Sequence, residues 1–250
     1  MIIDSHTHVD ESPVLGWSDP PEAIVGLLDE AEISRAVIMT YRDAPDPEEK
    51  VLEYVAKAVQ KYPDRLIGYA RMNPRYGDAA VDLFDRAIRE YKMRGLKLHP
   101  VGYVMHPTSE QTLELIRHAA RLNVPTLFHC GDEEFTMPLQ IAEAAALVPE
   151  ATIILGHMGG YFHVKDAIRV AQRHPNLVLE TSAMPYPKLI REAVDVLGAE
   201  RILFASDGPG CDPSIEVEKV NRAGLSPEEE ALIFSGNIEK LLGLSNTTKA

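Results

Sequence analysis

The sequence contains few of the residues that are typical of disulfide-rich or nucleic-acid-binding proteins. Cysteine occurs only twice among 250 residues, at Cys130 and Cys211, so the sequence implies no disulfide framework. Basic residues are outnumbered, with 25 Lys and Arg against 38 Asp and Glu, and they form no basic run. The resulting net charge of −13 argues against a surface that neutralises nucleic-acid phosphates.

Long hydrophobic stretches are also missing. No apolar run approaches the roughly 18 residues that a membrane-spanning helix needs. The N-terminus has no basic segment followed by an apolar stretch, which a signal peptide would require. We therefore expect a soluble, cytoplasmic protein that acts on a small molecule without binding membrane or nucleic acid. A homodimer is the default expectation for its oligomeric state.

The chain does contain short apolar segments that alternate with segments of helical spacing. The apolar segments are rich in Val, Ile and Leu, as strands buried on both faces should be. This alternation, and a length close to the typical ~250 residues of a (β/α)8 barrel, predict one such barrel domain over 1–250, ending in C-terminal helices. The predicted strands are 1–6, 34–39, 65–71, 94–99, 124–129, 152–157, 176–181 and 201–206. The predicted helices are 47–61, 108–122, 135–147, 164–172, 188–196, 226–234 and 238–242.

The loop 10–21 follows the first predicted strand and contains Trp17 and three prolines. In a barrel of this type, the segments that follow the strands lie around the mouth of the active site. We therefore expect this loop to lie over the mouth as a lid.

The first predicted strand leads into His6-Thr7-His8. Residues two apart on a strand point to the same side, so both imidazoles would lie side by side at the strand end. Three further segments of the same kind end in His129, His157 and Asp207. Any one of these histidines is commonly a buried core residue, but the set together predicts a metal site at the C-terminal barrel face. Imidazole and carboxylate suit zinc first, with manganese, iron or cobalt as alternatives.

A catalytic metal keeps a position open for water or substrate and lowers the pKa of bound water toward neutrality. A partner must then take and return a proton, and Asp207 or His157 is predicted in this role. Arg71 follows the third strand and is predicted to bind a substrate anion through its guanidinium fork. Glu180 and Ser182 lie near the end of the seventh strand and could line the mouth of the barrel, although a surface ion pair or a cap is the usual explanation for either residue.

The assembled motifs resemble the amidohydrolase superfamily, in particular the branch called amidohydrolase family 2, which includes the aminocarboxymuconate-semialdehyde decarboxylase-like proteins. The resemblance implies a distorted TIM barrel with metal ligation by His6, His8, His129 and Asp207. It also makes His157 a catalytic or substrate-contacting residue. The motifs that carry it are Asp4-Ser5-His6-Thr7-His8, Gly95-Leu96-Lys97-Leu98-His99-Pro100, Leu127-Phe128-His129-Cys130-Gly131, Leu155-Gly156-His157-Met158-Gly159-Gly160 and Ala205-Ser206-Asp207-Gly208-Pro209.

Lys97, near the end of the fourth strand, admits two interpretations. Binuclear members of the superfamily often carry a carboxylated lysine or a glutamate that bridges two metals. If Lys97 were carboxylated, His129 and His157 would hold the second metal. The favoured interpretation keeps Lys97 as a cation that binds a substrate carboxylate, with His99 beside it, because this branch is commonly mononuclear.

These residues predict a metal-dependent hydrolase in which metal-activated water attacks a small carboxylated substrate such as a lactone, amide or cyclic ester. A first alternative is a non-oxidative decarboxylase (carboxy-lyase) that uses the same metal site. A second is a catalytically idle barrel that binds a ligand. The polar constellation counts against this last alternative, since buried polar groups are costly without partners.

Overall fold

The computed structural model describes residues 1–12, 16–45 and 50–244. Its strands are short, and most of their residues are buried. The strands are β1 (Ile3–His8), β2 (Asp10–Ser12), β3 (Trp17–Asp19), β4 (Arg35–Met39), β5 (Leu66–Gly68), β6 (Ala70–Arg71), β7 (Leu96–Leu98), β8 (Thr126–Phe128), β9 (Ile153–Leu155), β10 (Leu177–Glu180) and β11 (Ile202–Leu203).

The strands other than β2 and β3 pair in parallel and form a closed wall. One run joins β1, β4 and β5, and the other joins β6 through β11 in sequence order. Tyr69 alone separates β5 from β6, so these are two pieces of one wall strand. The wall closes where the His8 amide donates to the Gly208 carbonyl at 2.7 Å and the Asp207 amide donates to the His6 carbonyl at 2.8 Å. The predicted (β/α)8 barrel is therefore confirmed.

The helices between the strands are α1 (Pro21–Glu30), α2 (Val51–Lys61), α3 (Asp78–Arg89), α4 (Pro100–Tyr103), α5 (Glu110–Arg121), α6 (Pro138–Leu147), α7 (Val164–Arg173) and α8 (Pro187–Leu197). After the last strand come α9 (Pro213–Asn221), α10 (Pro227–Ala231) and α11 (Asn237–Leu242). Helix α2 begins at Val51, and the predicted start at residue 47 lies outside the described residues. The sequence patterns did not predict α1, α3, α4 or α9.

The strand pleat sorts the core into two apolar clusters. Val37 and Met39 point into the barrel, whereas Ala36 and Ile38 point out against the helices. Helix α11 adds Ile238 and Leu242 to the inner cluster and so closes the N-terminal end of the barrel. The interior at that end is filled with apolar side chains, which leaves the opposite end for polar chemistry.

The predicted lid segment 10–21 contains an antiparallel ribbon of β2 and β3 rather than a simple loop. Its base is held by Asp10, whose buried carboxylate pairs with the Arg42 guanidinium at 2.7 Å. The same carboxylate accepts the backbone amides of Tyr41 and Arg42, both at 3.1 Å. These bonds join the ribbon to the segment after β4. Its role as a lid stays a prediction.

The C-terminal region begins with the predicted N-cap. Ser226 and Glu229 form a reciprocal capping box, with Pro227 at the first helical position. The predicted helix 226–234 continues, however, as a π-helical turn over Leu232–Gly236. The Ile233 carbonyl in this turn accepts the Phe204 amide at 2.9 Å, just after the short strand β11. No helix within the three described ranges has the length and apolar character needed to cross a membrane.

Candidate metal centre and active site

Three side chains converge where the first and last wall strands meet at the C-terminal barrel face. Nε2 of His8 lies 3.2 Å from Oδ1 of Asp207, and Nε2 of His6 lies 3.5 Å from the same oxygen. Ligands about 2.0–2.1 Å from one tetrahedral metal stand about 3.4 Å apart, which matches these separations. The side chain of Asp207 is 26% exposed, so the group opens to solvent on one side.

The orientation of His6 is determined by a carboxylate beneath it. Nδ1 of His6 lies 2.9 Å from Oε1 of Glu180, and both side chains are fully buried. A carboxylate only accepts hydrogen bonds, so His6 carries its proton on Nδ1 and keeps the lone pair of Nε2 for the converging group. The usual explanation of such a residue as a surface ion pair or a cap therefore does not hold for Glu180, because Glu180 is buried at the end of β10 inside the barrel.

His8 is held in a different way. Its ring stacks on that of Tyr41, with centroids 4.4 Å apart and an interplanar angle of 12°. Nδ1 of His8 is buried and has no hydrogen-bond partner among the described residues. Aromatic stacking thus orients this ring, while Nε2 faces Asp207.

Lys97 stands beside the same group. Its Nζ lies 2.7 Å from Nε2 of His6, and its side chain is only 1% exposed. Burial lowers the pKa of Lys97 to about 7. Because the His6 proton lies on Nδ1, the amine donates into the lone pair that would bind a metal. The Lys97 amine therefore contacts, as a hydrogen-bond donor, the same nitrogen of His6 that a metal cation would bind.

His129 and His157 form a second imidazole pair. Nε2 of His157 lies 3.0 Å from Nδ1 of His129, and Nε2 of His129 lies 3.2 Å from Oε2 of Glu133. His129 therefore lies beside the converging trio, with both ring nitrogens directed at other side chains. Its predicted role as a metal ligand stays a prediction. Glu133 was not predicted, although it follows His129 by four residues in the same loop.

His157 sits in an unusual backbone turn after β9. His157 and Met158 adopt φ values of +57° and +48°, in the left-handed region that costs energy for side-chain-bearing residues. The amide of His157 donates to Oε1 of Glu180 at 2.9 Å, and its Nδ1 lies 2.8 Å from Oγ of Ser182. The turn aims the imidazole inward, where it is 5% exposed.

Burial dominates the electrostatics of these groups. It lowers the pKa values of His6 and His8 and lowers the pKa of His157 to about 3. Burial alone would raise the pKa of Asp207, but the neighbouring imidazoles, His6 foremost, hold it well below the usual range. Neutral imidazoles and an ionised carboxylate are the protonation states that divalent metals require. The donor set His6, His8 and Asp207 thus fits such a metal in spacing and in chemistry.

Two adjoining cavities open onto these residues. One, of about 190 Å³, is lined by His8, Tyr41, Arg71, Lys97, His99, His129 and Asp207. The other, of about 140 Å³, shares His129 and Asp207 and extends past His157 to Asp132 and Glu133. Together they suit a small molecule. A larger cavity of about 550 Å³ near α11 has no His, Asp or Glu in its lining, so it offers no comparable chemistry.

Arg71 reaches the first cavity, as predicted, but its charge already has a partner. Nε of Arg71 lies 2.6 Å from Oδ1 of Asp43, and the guanidinium also approaches the Thr40 carbonyl at 3.5 Å. The guanidinium of Arg71, which was predicted to bind a substrate anion, thus forms an ion pair with Asp43 at the cavity wall. Its contact with a substrate stays a prediction.

Comparison with known proteins agrees with the barrel fold. The amidohydrolase family model matches residues 3–244. No curated protein sequence matches. Among solved structures, 5-carboxyvanillate decarboxylase from Sphingomonas paucimobilis is 15% identical with a TM-score of 0.75, covering 97% of this chain and 98% of that chain. The 2,6-dihydroxybenzoate decarboxylase from Rhizobium is 18% identical with a TM-score of 0.75, over 97% and 98% of the two chains.

A dihydroxybenzoic acid decarboxylase from Polaromonas, solved with bound manganese and the inhibitor 2-nitroresorcinol, is 18% identical with a TM-score of 0.77, over 97% of each chain. At these identities the structures establish the shared fold. The family match runs through nearly the whole chain, from β1 to the residues after α11. The chain belongs to the amidohydrolase family.

Proposed function

We propose that this protein is a metal-dependent carboxy-lyase that removes a carboxyl group, without oxidation, from a small hydroxylated aromatic acid. The observation that carries the proposal is that two groups of side chains meet at two adjoining cavities. The trio His6, His8 and Asp207 fits a metal, and the hydrogen-bonded imidazole pair of His129 and His157 lies beside it. The structural likeness to three decarboxylases supports this reaction over the hydrolysis expected from the sequence.

Decarboxylation breaks the bond between the carboxyl carbon and the ring and leaves the electron pair on the ring carbon. Carbon dioxide departs, and a proton must reach that carbon. A divalent metal bound by His6, His8 and Asp207 would supply the positive charge that anchors an anionic substrate and stabilises its developing negative charge. Zinc was expected, but nitrogen and oxygen donors also suit manganese, and one similar decarboxylase holds manganese.

The proton transfer is assigned to His157, with Asp207 as the alternative residue. Because His157 is neutral and Asp207 is ionised at rest, either residue must first take up the proton that it delivers. His157 contacts His129, which contacts Glu133, and the side chain of Glu133 is 54% exposed. The three side chains thus form a hydrogen-bonded chain from the buried site to the protein surface. Such a chain can resupply a proton after each turnover.

Substrate binding is assigned to Lys97 and His99, which line the cavity next to the trio. Lys97 in its charged form would attract the substrate carboxylate. Arg71 contributes less, since Asp43 already neutralises it. The expected homodimer remains a proposal that sedimentation velocity would test.

Hydrolysis remains the second candidate, because one feature of the site favours it. Lys97 is buried with a pKa of about 7, so a fraction of it is a neutral amine that can react with carbon dioxide. A carboxylated Lys97 would bridge two metals, with His129 and His157 as ligands of the second. Elemental analysis separates these states, with one metal per chain expected for the carboxy-lyase and two for the binuclear hydrolase.

The deciding experiment incubates the protein, loaded with manganese or zinc, with 2,6-dihydroxybenzoate, 5-carboxyvanillate and a panel of lactones and amides. In deuterated water, a carboxy-lyase releases carbon dioxide and leaves one deuterium on the carbon that lost it. Hydrolysis in ¹⁸O-water places the label in the product instead. Binding of these compounds with no turnover would favour the idle barrel and contradict both enzymes.

A further inference from the structure

We propose that Glu180 is a positioning residue whose single carboxylate orients both the metal-binding ring of His6 and the imidazole of His157. The inference rests on the metal site of the proposed function but is independent of which reaction occurs there. It assigns a role to a buried acid that ends β10 and for which the sequence patterns indicated no specific role.

The carboxylate of Glu180 is surrounded by hydrogen-bond donors from three other residues. Its side chain is fully buried, and its oxygens accept from the His6 ring, the His157 amide, and the amide and hydroxyl of Ser182. The distances are 2.9, 2.9, 2.7 and 3.0 Å. No lysine or arginine among the described residues forms an ion pair with it. A buried carboxylate is costly unless hydrogen-bonded, so these donors stabilise it.

The first consequence concerns His6. Because Glu180 cannot donate, the proton of His6 resides on Nδ1 and the lone pair of Nε2 points toward Asp207. Loss of the carboxylate would let the ring change tautomer or rotate. Either change would remove a properly aimed ligand, and comparable outer contacts are worth about 10–100-fold in metal affinity.

The second consequence concerns His157. Oε1 of Glu180 accepts its backbone amide at 2.9 Å and so stabilises the left-handed turn at His157 and Met158. The Ser182 hydroxyl donates to Glu180 and has no second proton, so it accepts from Nδ1 of His157. The lone pair of Nε2 on His157 is thereby left facing His129. One carboxylate therefore determines the tautomers of two imidazoles, one at the end of β1 and one in the turn after β9.

The test uses E180Q, in which an amide NH₂ group replaces one acceptor oxygen. In the metal-free protein, ¹⁵N NMR of the wild type should show His6 and His157 protonated on Nδ1. In E180Q we expect mixed tautomers for both, and a 10–100-fold weaker Kd for manganese measured by calorimetry. The matched control is E216Q, because Glu216 is also buried and contacts the Ala183 amide but touches no imidazole of the site. That variant should keep both tautomers and the wild-type Kd.

A folded E180Q protein with wild-type tautomers and wild-type manganese affinity would overturn the proposal. If E180Q does not fold, S182A provides the test, since it removes only the hydroxyl link. S182A should shift the tautomer of His157 and leave that of His6 unchanged, and no shift at His157 would equally overturn the proposal. These readouts need no substrate, so a failure of the proposed reaction would be recognised separately.

Discussion

The amine of Lys97 lies 2.7 Å from Nε2 of His6, the nitrogen that also faces Asp207. A metal and a charged Lys97 therefore compete for one position. Two unit charges about 4 Å apart repel by about 4 kcal/mol at the effective dielectric of 20 that suits protein sites. Even a third of this energy would change metal affinity about tenfold.

Replacement of Lys97 by methionine tests which state the lysine adopts. If Lys97 is a cation, K97M should bind one manganese ion per chain at least about tenfold more tightly than the wild type. K97R keeps the charge and should show no such gain. Calorimetry and elemental analysis measure both quantities. A fall from two metals per chain to one or none in K97M would instead establish the carboxylated, binuclear state.

Removal of a converging donor should abolish metal retention. H8A and D207N each delete one of the three donors, so we expect affinity to fall by more than the roughly 100-fold that outer contacts alone can cost. At a metal concentration of 100 times Kd, binding stabilises the wild type by about 2.7 kcal/mol, which should raise its Tm. The variants should lose this rise. H118A, on the outer helix α5, is the control and should retain it.

Substitution of His157 should lower the activity of the protein without changing its metal content. H157N places asparagine in the left-handed turn, a conformation that asparagine tolerates better than most residues. We expect it to retain the wild-type metal content and to lower kcat by about 10²–10⁴, the usual contribution of a positioned acid or base. Elemental analysis of the variant, together with a measurement of its rate of product formation, checks this prediction. If H157N lost metal and kcat to the same extent, His157 would instead be a metal ligand.

The ion pair between Arg191 and Glu229 should make stability depend on pH. The hydrogen bond from Arg191 lowers the pKa of Glu229 to about 2, from 4.5. A depressed carboxyl pKa contributes stability that is complete above pH 4.5 and is lost as pH falls toward 2. Thermal unfolding from pH 7 to pH 3 should therefore show a smaller loss of Tm in E229Q than in the wild type. Parallel curves would show that the pair contributes nothing.

The barrel and the outline of its site could be predicted because both follow local periodicity. The alternation of a strand places His6 and His8 on one side, and strand-terminal positions bring Asp207 to them once the wall closes. Glu180 obeys the same rule at the end of β10. Its contact with His6 was not predicted, because a lone acid beside a strand end is more often exposed and no pattern shows that an imidazole from another strand meets it.

Other features depend on contacts between distant segments. The pairing of Arg71 with Asp43 joins the ends of two wall strands, which a linear pattern does not reveal. Tyr69, at the break between β5 and β6, places its ring in the space beside Gly95, where a Cβ would lie 2.5 Å from the ring. The π-helical turn at Leu232–Gly236 likewise serves a distant partner, the amide of Phe204.

The seam that closes the barrel is built from the backbone of His6, His8 and Asp207, the residues whose side chains converge. Nearly the entire chain lies between the two sides of that seam. A ribosome must therefore finish almost all of the polypeptide before a metal meets its complete set of donors. Metal binding would then be a late step of folding. It would stabilise the junction of the first and last strands, and it would occur only in chains whose barrel has been assembled.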